Sequence, residues 1–239
     1  MTTAVQAKRI LRQYRSVERA IGAARFFKTE KGEYGYGDVF IGVTVPDTRK
    51  VAKQFSNLPL NEIGKLLMSK IHEDRLLALI ILVIQFEHGD ERTRRDIYRF
   101  YIAKRSAVDN WDLVDTSASR IVGSFLLNHH RERSILTKLA LSDRLWDRRI
   151  AVIATLAFIE KKSSAEIFML ARMLIDDPHD LMHKAIGWML REVGKRIGRD
   201  EECKFLDVYA SKLPRTALRY ALEHFEPPLR DHYMKKRIP

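Results

Sequence analysis

Four segments of this chain fall into one register when laid 34, 34 and 32 residues apart: Asp115-Thr116-Ser117-Ala118, Arg149-Ile150-Ala151-Val152, His183-Lys184-Ala185-Ile186 and Arg215-Thr216-Ala217-Leu218. The third column is small in every copy (Ser117, Ala151, Ala185, Ala217). The eighth is apolar in every copy (Val122, Leu156, Leu190, Leu222). A period of this length, with small residues where helices meet most closely, describes stacked antiparallel helix pairs that bury their apolar faces against their neighbours. Equivalent columns of such a solenoid point the same way. The first column then places Asp115, Arg149, His183 and Arg215 on one surface, the concave one. The sixth adds Arg120, Trp188 and Tyr220.

The rest of the chain agrees with this class. Apolar residues recur at helical spacing from Ala4 to Lys28 (Val5, Ile10, Leu11, Tyr14, Val17, Ile21, Ala24). Pro46 opens a helix at its first turn, and Leu60 opens another, capped by Asn57 or Asn61. From Glu73 onward helices follow one another, broken at Gly89-Asp90, Ser106 to Asn110, Asn128 to Arg131, Ser142-Asp143, Ser163-Ser164, Asp177-Pro178, Gly198 to Asp200 and Leu213-Pro214. No stretch alternates as a strand does. The expectation is an all-α superhelical stack forming one domain over 1–239. It comprises N-terminal helices over 1–71 with a loop inserted at 29–45, repeats over 72–226 and a basic tail over 227–239.

Composition narrows the partner. With 239 residues, 46% of them hydrophobic, the chain has material for a large core. Lys and Arg number 43 against 31 Asp and Glu, a formal charge of +12 spread along the sequence. Such a surface suits a polyanion, nucleic acid ahead of an acidic membrane. Cys203 is the only cysteine, which excludes an intrachain disulfide and fits a reducing compartment. Residues 1–16 are polar and basic, without the apolar core of a signal peptide, so a cytoplasmic location is expected. The longest apolar run, Leu76 to Ile84, is too short to span a bilayer and reads as a helix buried on all sides.

The chemistry concentrates at Asn110-Trp111-Asp112-Leu113-Val114-Asp115. A helix beginning near Asp109 puts Trp111 and Asp115 on one face, an aromatic plate one turn from a carboxylate. Arg148 and Arg149 follow Trp146 at the start of an otherwise apolar helix. There Arg149 either grips a phosphate or holds Asp115 by an ion pair. Trp188 is available for stacking or for contact with a sugar. Lys184, Arg191, Lys195 and Arg196 on one helix, with Arg215 and Arg219 on the next, form a phosphate-tracking set. His179 and His183 have metal-ligand spacing, but no third ligand accompanies them, and neither metal nor cofactor is expected. The glycine-rich stretch Gly32 to Asp38 lacks the Gly-Lys-Ser/Thr ending of a phosphate loop and reads as an ordered loop. If the chain is an enzyme, Asp115 is its catalytic group.

These elements resemble the AlkD-like family of bacterial alkylpurine DNA glycosylases, which are built of HEAT-like repeats. The resemblance covers most of the chain. It rests on Ala24-Arg25-Phe26-Phe27-Lys28, on Phe40-Ile41-Gly42-Val43 leading to Val45-Pro46-Asp47-Thr48-Arg49, on Asn110 to Asp115, on Trp146-Asp147-Arg148-Arg149, and on Lys184-Ala185-Ile186-Gly187-Trp188-Met189-Leu190-Arg191-Glu192. It implies a concave groove for duplex DNA, Asp115 as the catalytic carboxylate, Trp111 and Trp188 against the deoxyribose and backbone, and Arg149 in the groove. The implied substrates are cationic lesions such as 3-methyladenine and 7-methylguanine. They are hydrolysed without drawing the base into a pocket, and without a lysine suited to strand cleavage. Phe26 stands where a well-known member has tyrosine, and the 30–39 loop is longer here. The alternative is a non-catalytic helical scaffold that binds nucleic acid or protein; a membrane-surface role for the Lys235-Lys236-Arg237 end ranks third. A monomer is expected.

Overall fold

A computed structural model describes residues 2–236. Among them the chain is all-α: sixteen α-helices joined by turns, short 3-10 segments and one π-helical stretch, Ser119–Gly123, with one isolated β-bridge, Val39 to Ile71. No helix among the described residues is long and apolar enough to cross a membrane. The contacts form two compact units, Met1–Ile121 and Val122–Pro239.

The first unit holds α1 (Ala4–Leu11), α2 (Val17–Phe26), α3 (Val45–Gln54), α4 (Leu60–Leu67), α5 (His72–His88), α6 (Glu91–Lys104) and α7 (Trp111–Ala118). Helix α5 is its centre and packs on α3, α4, α6 and α7. Leu76 to Val83 are buried at every position, as an all-round apolar run requires. The helical spacing over 4–28 breaks into two helices. Ser16 adopts an extended backbone and caps α2 through the Arg19 amide at 3.3 Å, while its own amide donates to the Ile41 carbonyl at 3.0 Å. A capping serine ends one helix and starts the next. Helix α3 starts at Val45 with Pro46 in its first turn, and Thr44 caps it. Helix α4 corrects the sequence reading: its N-cap is Pro59, whose carbonyl accepts from Glu62 and Ile63 at 2.9 Å, and neither Asn57 nor Asn61 caps it.

The loop between α2 and α3 is tied down by one carboxylate. Glu73, in the first turn of α5, accepts from the amides of Ile41 (3.1 Å), Gly42 (2.8 Å) and Val43 (3.3 Å). Gly42 has φ +75°, and a Cβ there would lie 2.1 Å from the Ser16 carbonyl oxygen. Only glycine lets the loop pass so close to the start of α2.

The second unit holds α8 (Ser124–Asn128), α9 (Ser134–Ala140), α10 (Leu145–Ala154), α11 (Leu156–Glu160), α12 (Ala165–Met173), α13 (Asp180–Arg196), α14 (Arg199–Tyr209), α15 (Arg215–Ala221) and α16 (Pro227–Lys235). Helices α7, α10, α13 and α15 begin at Trp111, Leu145, Asp180 and Arg215, a spacing of 34 or 35 residues that matches the repeat. Ser117, Ala151, Ala185 and Ala217 are all fully buried. Arg215 opens α15, so it stands a turn nearer its helix start than Asp115 and Arg149 do in theirs. The stretch after 227 is a helix up to Lys235 rather than a tail, because Pro227 suits a first turn and Tyr233 is buried with its hydroxyl donating to Asp207 at 3.0 Å. Arg237 lies outside the described residues.

Helix contacts in this unit run over glycines. A Cβ on Gly187 of α13 would sit 2.3 Å from the Ala217 carbonyl oxygen of α15, and one on Gly123 would sit 2.2 Å from the Ala154 carbonyl oxygen. Neither neighbour is a flexible side-chain end. Gly187→Ala is therefore expected to lower unfolding free energy in urea by about 1–3 kcal/mol, the range for overpacking a closed contact. An unchanged midpoint would mean that α13 and α15 separate freely.

Candidate nucleic-acid interface and catalytic carboxylate

Helix α7 starts at Trp111, two residues later than its sequence suggests, because Asn110 is its N-cap. Asn110 is fully buried, and its Oδ1 accepts the Trp111 amide at 2.8 Å. Its Nδ2 donates to Asp38 Oδ2 at 2.9 Å, which fixes the start of α7 to the glycine-rich loop. Asp115 is half-buried, one turn beyond Trp111 on the same face of α7.

Trp111 is the end of an aromatic column. Its ring stacks on Phe27 (centroids 5.2 Å, planes 15° apart), Phe27 stacks on Phe40 (4.9 Å, 21°), and Phe40 stacks on the His72 imidazole (4.5 Å, 25°). Phe26 meets Trp111 edge-on at 5.8 Å and is 65% exposed. The unit thus presents an aromatic edge to solvent over a rigid stack, each ring pair adding about 0.5–1.5 kcal/mol beyond its burial.

A buried ionic layer lies beneath. The Asp38 carboxylate collects His72 Nδ1 (3.0 Å), Asn110 Nδ2 and the Arg75 guanidinium. Burial would raise its pKa, but His72 and Arg75 outweigh that and hold it at about 2. Asp109, within 3.2 Å of Arg75, is pushed up by burial, which the Arg75 charge offsets only partly.

The second unit carries the other residues singled out in the sequence. Arg149 is 4% exposed, and its Nη1 donates to the Leu181 carbonyl at 2.6 Å. Its column was expected to be surface; the repeat fixes the direction of a side chain but not how deeply neighbouring helices cover it. Arg148 is not a solvated arginine either. Its Nε donates to Asp177 Oδ2 at 2.6 Å, and its Nη1 donates to the Ser142 and Asp143 carbonyls at 3.0 and 2.9 Å. Trp188 is half-buried, its indole N–H donating to Glu192 Oε1 at 3.3 Å. Arg191 pairs with Glu223. Lys184 pairs with Asp180 at 2.8 Å, and Arg215 donates to the Met234 carbonyl at 2.8 Å. Lys195 and Arg219 are exposed. His183 Nε2 lies 2.5 Å from the Asp177 carbonyl oxygen, and His179 Nδ1 accepts the Leu181 amide at 3.1 Å, so both rings serve the turn before α13.

The model of the family described as DNA alkylation repair enzyme matches residues 7–225. The chain belongs to that family. Its role is accordingly in the repair of alkylated DNA, in keeping with the charge and the aromatic edge. A solved structure described as a predicted DNA alkylation repair enzyme from Enterococcus faecalis is similar over 89% of this chain and 97% of its own, with a TM-score of 0.70 at 19% identity, a likeness of fold. A search of curated proteins returns no match.

Sequence reasoning did not find Phe27, Phe40, Asp38 and His72 as parts of one cluster. One signal was available. His72-Glu73-Asp74-Arg75 puts four ionisable residues in the first turn of α5, directly before the apolar run Leu76 to Ile84, and all four are buried. Buried charges require partners, so the tetrad announces a network.

Proposed function

We propose that this chain is a monofunctional DNA glycosylase that hydrolyses the N-glycosidic bond of cationic alkylated purines, 3-methyladenine and 7-methylguanine, in duplex DNA, acting as a monomer. The observation that carries this is the pairing on one face of α7 of Asp115 with the braced Trp111, in a family of DNA alkylation repair enzymes. A purine carrying a positive charge is already a good leaving group. It departs with the bonding electron pair as a neutral base, so no acid need protonate it. What the protein must stabilise is the oxocarbenium-like sugar left behind. Asp115 does so electrostatically and orients the water that adds to the anomeric carbon, that water's second proton passing to solvent. Trp111 lies along the deoxyribose, its ring face favouring the same positive charge, and Trp188 is assigned to contact with the DNA backbone. Phe26 flanks the lesion beside Trp111.

Phosphates are met by Lys184, Lys195, Arg215 and Arg219, while Arg149, buried and donating to the Leu181 carbonyl, is assigned to holding the start of α13. Arg148, engaged by Asp177, and Arg191, engaged by Glu223, are assigned to shaping the surface rather than gripping phosphate.

The test is release of free base from a methylated duplex, followed by chromatography. The native chain should liberate 7-methylguanine or 3-methyladenine and leave abasic strands that break only on heating in alkali. Salt-dependent duplex binding with no base released would instead identify a non-catalytic scaffold.

A further inference from the structure

We propose that His72 is a positioning residue for this reaction: an imidazolium clamped between Asp38 of the loop and Asp112 of α7, which locks the aromatic column under Trp111 to the helix that carries Asp115. The proposal rests on the glycosylase assignment above and adds to it a residue that touches neither base nor sugar.

The geometry requires the charge. His72 is 2% exposed, and both ring nitrogens face carboxylate oxygens: Nδ1 to Asp38 Oδ2 at 3.0 Å and Nε2 to Asp112 Oδ2 at 2.8 Å. A carboxylate only accepts, so two such contacts need two N–H donors, which only the protonated ring has. A neutral ring would turn a lone pair toward one of the two acids. Burial alone would push the pKa of His72 down, but the hydrogen bonds it donates to Asp112 and Asp38 hold it up at about 9. The other charged groups of this layer are Arg75, which shares Asp38, and Asp109, which faces Arg75.

The clamp reaches Trp111 by two routes. Through Asp112 it holds the first turn of α7. Through Asp38 it shares an acceptor with Asn110, the residue that caps Trp111. The ring face supports the column as well, with Phe40 at 4.5 Å and Phe27 at 5.1 Å. A residue that merely filled space would need none of these directed contacts. Loss of the clamp frees the stack to slide relative to α7, and misplacement of about 1 Å costs on the order of 100-fold in rate.

The experiment uses the full chain labelled with 5-fluorotryptophan, the Trp111 resonance being assigned with Trp111→Phe. His72→Gln should lower the single-turnover excision rate about 10- to 100-fold, change affinity for methylated duplex less than about threefold, and shift the Trp111 resonance. In the native chain that resonance should move between about pH 8 and 10, as the ring loses its proton, and should hold still over that range in His72→Gln. Asp112→Asn, which removes one jaw of the clamp, should shift the resonance in the same direction and serves if His72→Gln does not fold. A Trp111 resonance that is the same in native and variant chains overturns the proposal, as does a rate within twofold of native. If the native chain releases no methylated purine, the glycosylase assignment falls, and the fluorine resonance alone decides whether His72 sets Trp111.

Discussion

Asp115→Asn is expected to abolish measurable release of methylated purine while leaving duplex affinity equal or higher. The substitution keeps the shape of the side chain and removes its charge. A positive sugar developing beside a fixed carboxylate is stabilised by an interaction that the amide replaces only with a dipole. Removal of one such preorganised group costs about 100- to 1,000-fold, or roughly 3–4 kcal/mol of barrier. Ground-state binding moves the other way. A carboxylate near phosphates repels them, and with 43 Lys and Arg against 31 Asp and Glu the attraction to a polyanion rests on the positive groups, which the substitution leaves in place. Single-turnover rates with saturating protein separate the two effects, because they report the chemical step without turnover. Trp111→Ala should differ in kind. It leaves Asp115 charged but removes the ring that stacks on Phe27, so both rate and affinity for the lesion should fall. If Asp115→Asn keeps half the native rate, some other group stabilises the sugar, and α7 is a docking helix only.

The parts of this arrangement that were legible in the sequence are those written within one turn or one period. Trp111 and Asp115 are four residues apart, and helical geometry alone puts them on one face. Breaks at Gly89-Asp90, Ser142-Asp143 and Leu213-Pro214 are set by residues that cap, turn or refuse to continue a helix, and those acts are local. The small column at Ser117, Ala151, Ala185 and Ala217 was readable because close helix contact selects for size. What the sequence hid depends on distant partners. Asp38 and Asp112 reach His72 from 34 and 40 residues away, and no local period links them. Phe27 and Phe40 become one stack only when the loop folds back onto α5, an act performed by Glu73 on the amides of 41–43. The break at Ser16 was missed because its amide finds a partner in Ile41, so the chain gains by leaving the helix there. Arg149 shows the limit of the repeat itself: columns share a direction, but depth is decided by the particular helices laid over each one.

Glu202→Gln should raise thermal stability at alkaline pH and leave it nearly unchanged in mild acid. Glu202 lies in the first turn of α14 with no exposed surface, and neither carboxyl oxygen has a hydrogen-bond partner. It is seated against Gly194 of α13, where a Cβ would come 2.0 Å from its Oε2, and His224 Nε2 stands 3.4 Å away. Burial pushes the acid up to about 9, and the Arg191 charge offsets only part of that. Burial also lowers His224, with Lys195 and Arg191 adding to the effect, so at neutral pH the two meet as a neutral acid and a neutral ring rather than as an ion pair. The sign follows from linkage. A carboxyl whose folded pKa lies above its unfolded value near 4.5 is fully compatible with the fold below about pH 4.5. Stability is then lost steadily as pH rises toward 9, because the unfolded chain releases the proton and the folded one retains it. Glutamine has the same shape and no proton to lose. The midpoint difference between variant and native should therefore be near zero at pH 4.5 and widen to about 10–20 °C by pH 8.5, at about 1.4 kcal/mol per pH unit and roughly 2–4 °C per kcal/mol for a chain of this size. Melting curves at half-unit steps of pH measure it directly. A constant offset across the range would show that Glu202 is ionised in the folded protein, with the His224 contact an ion pair after all.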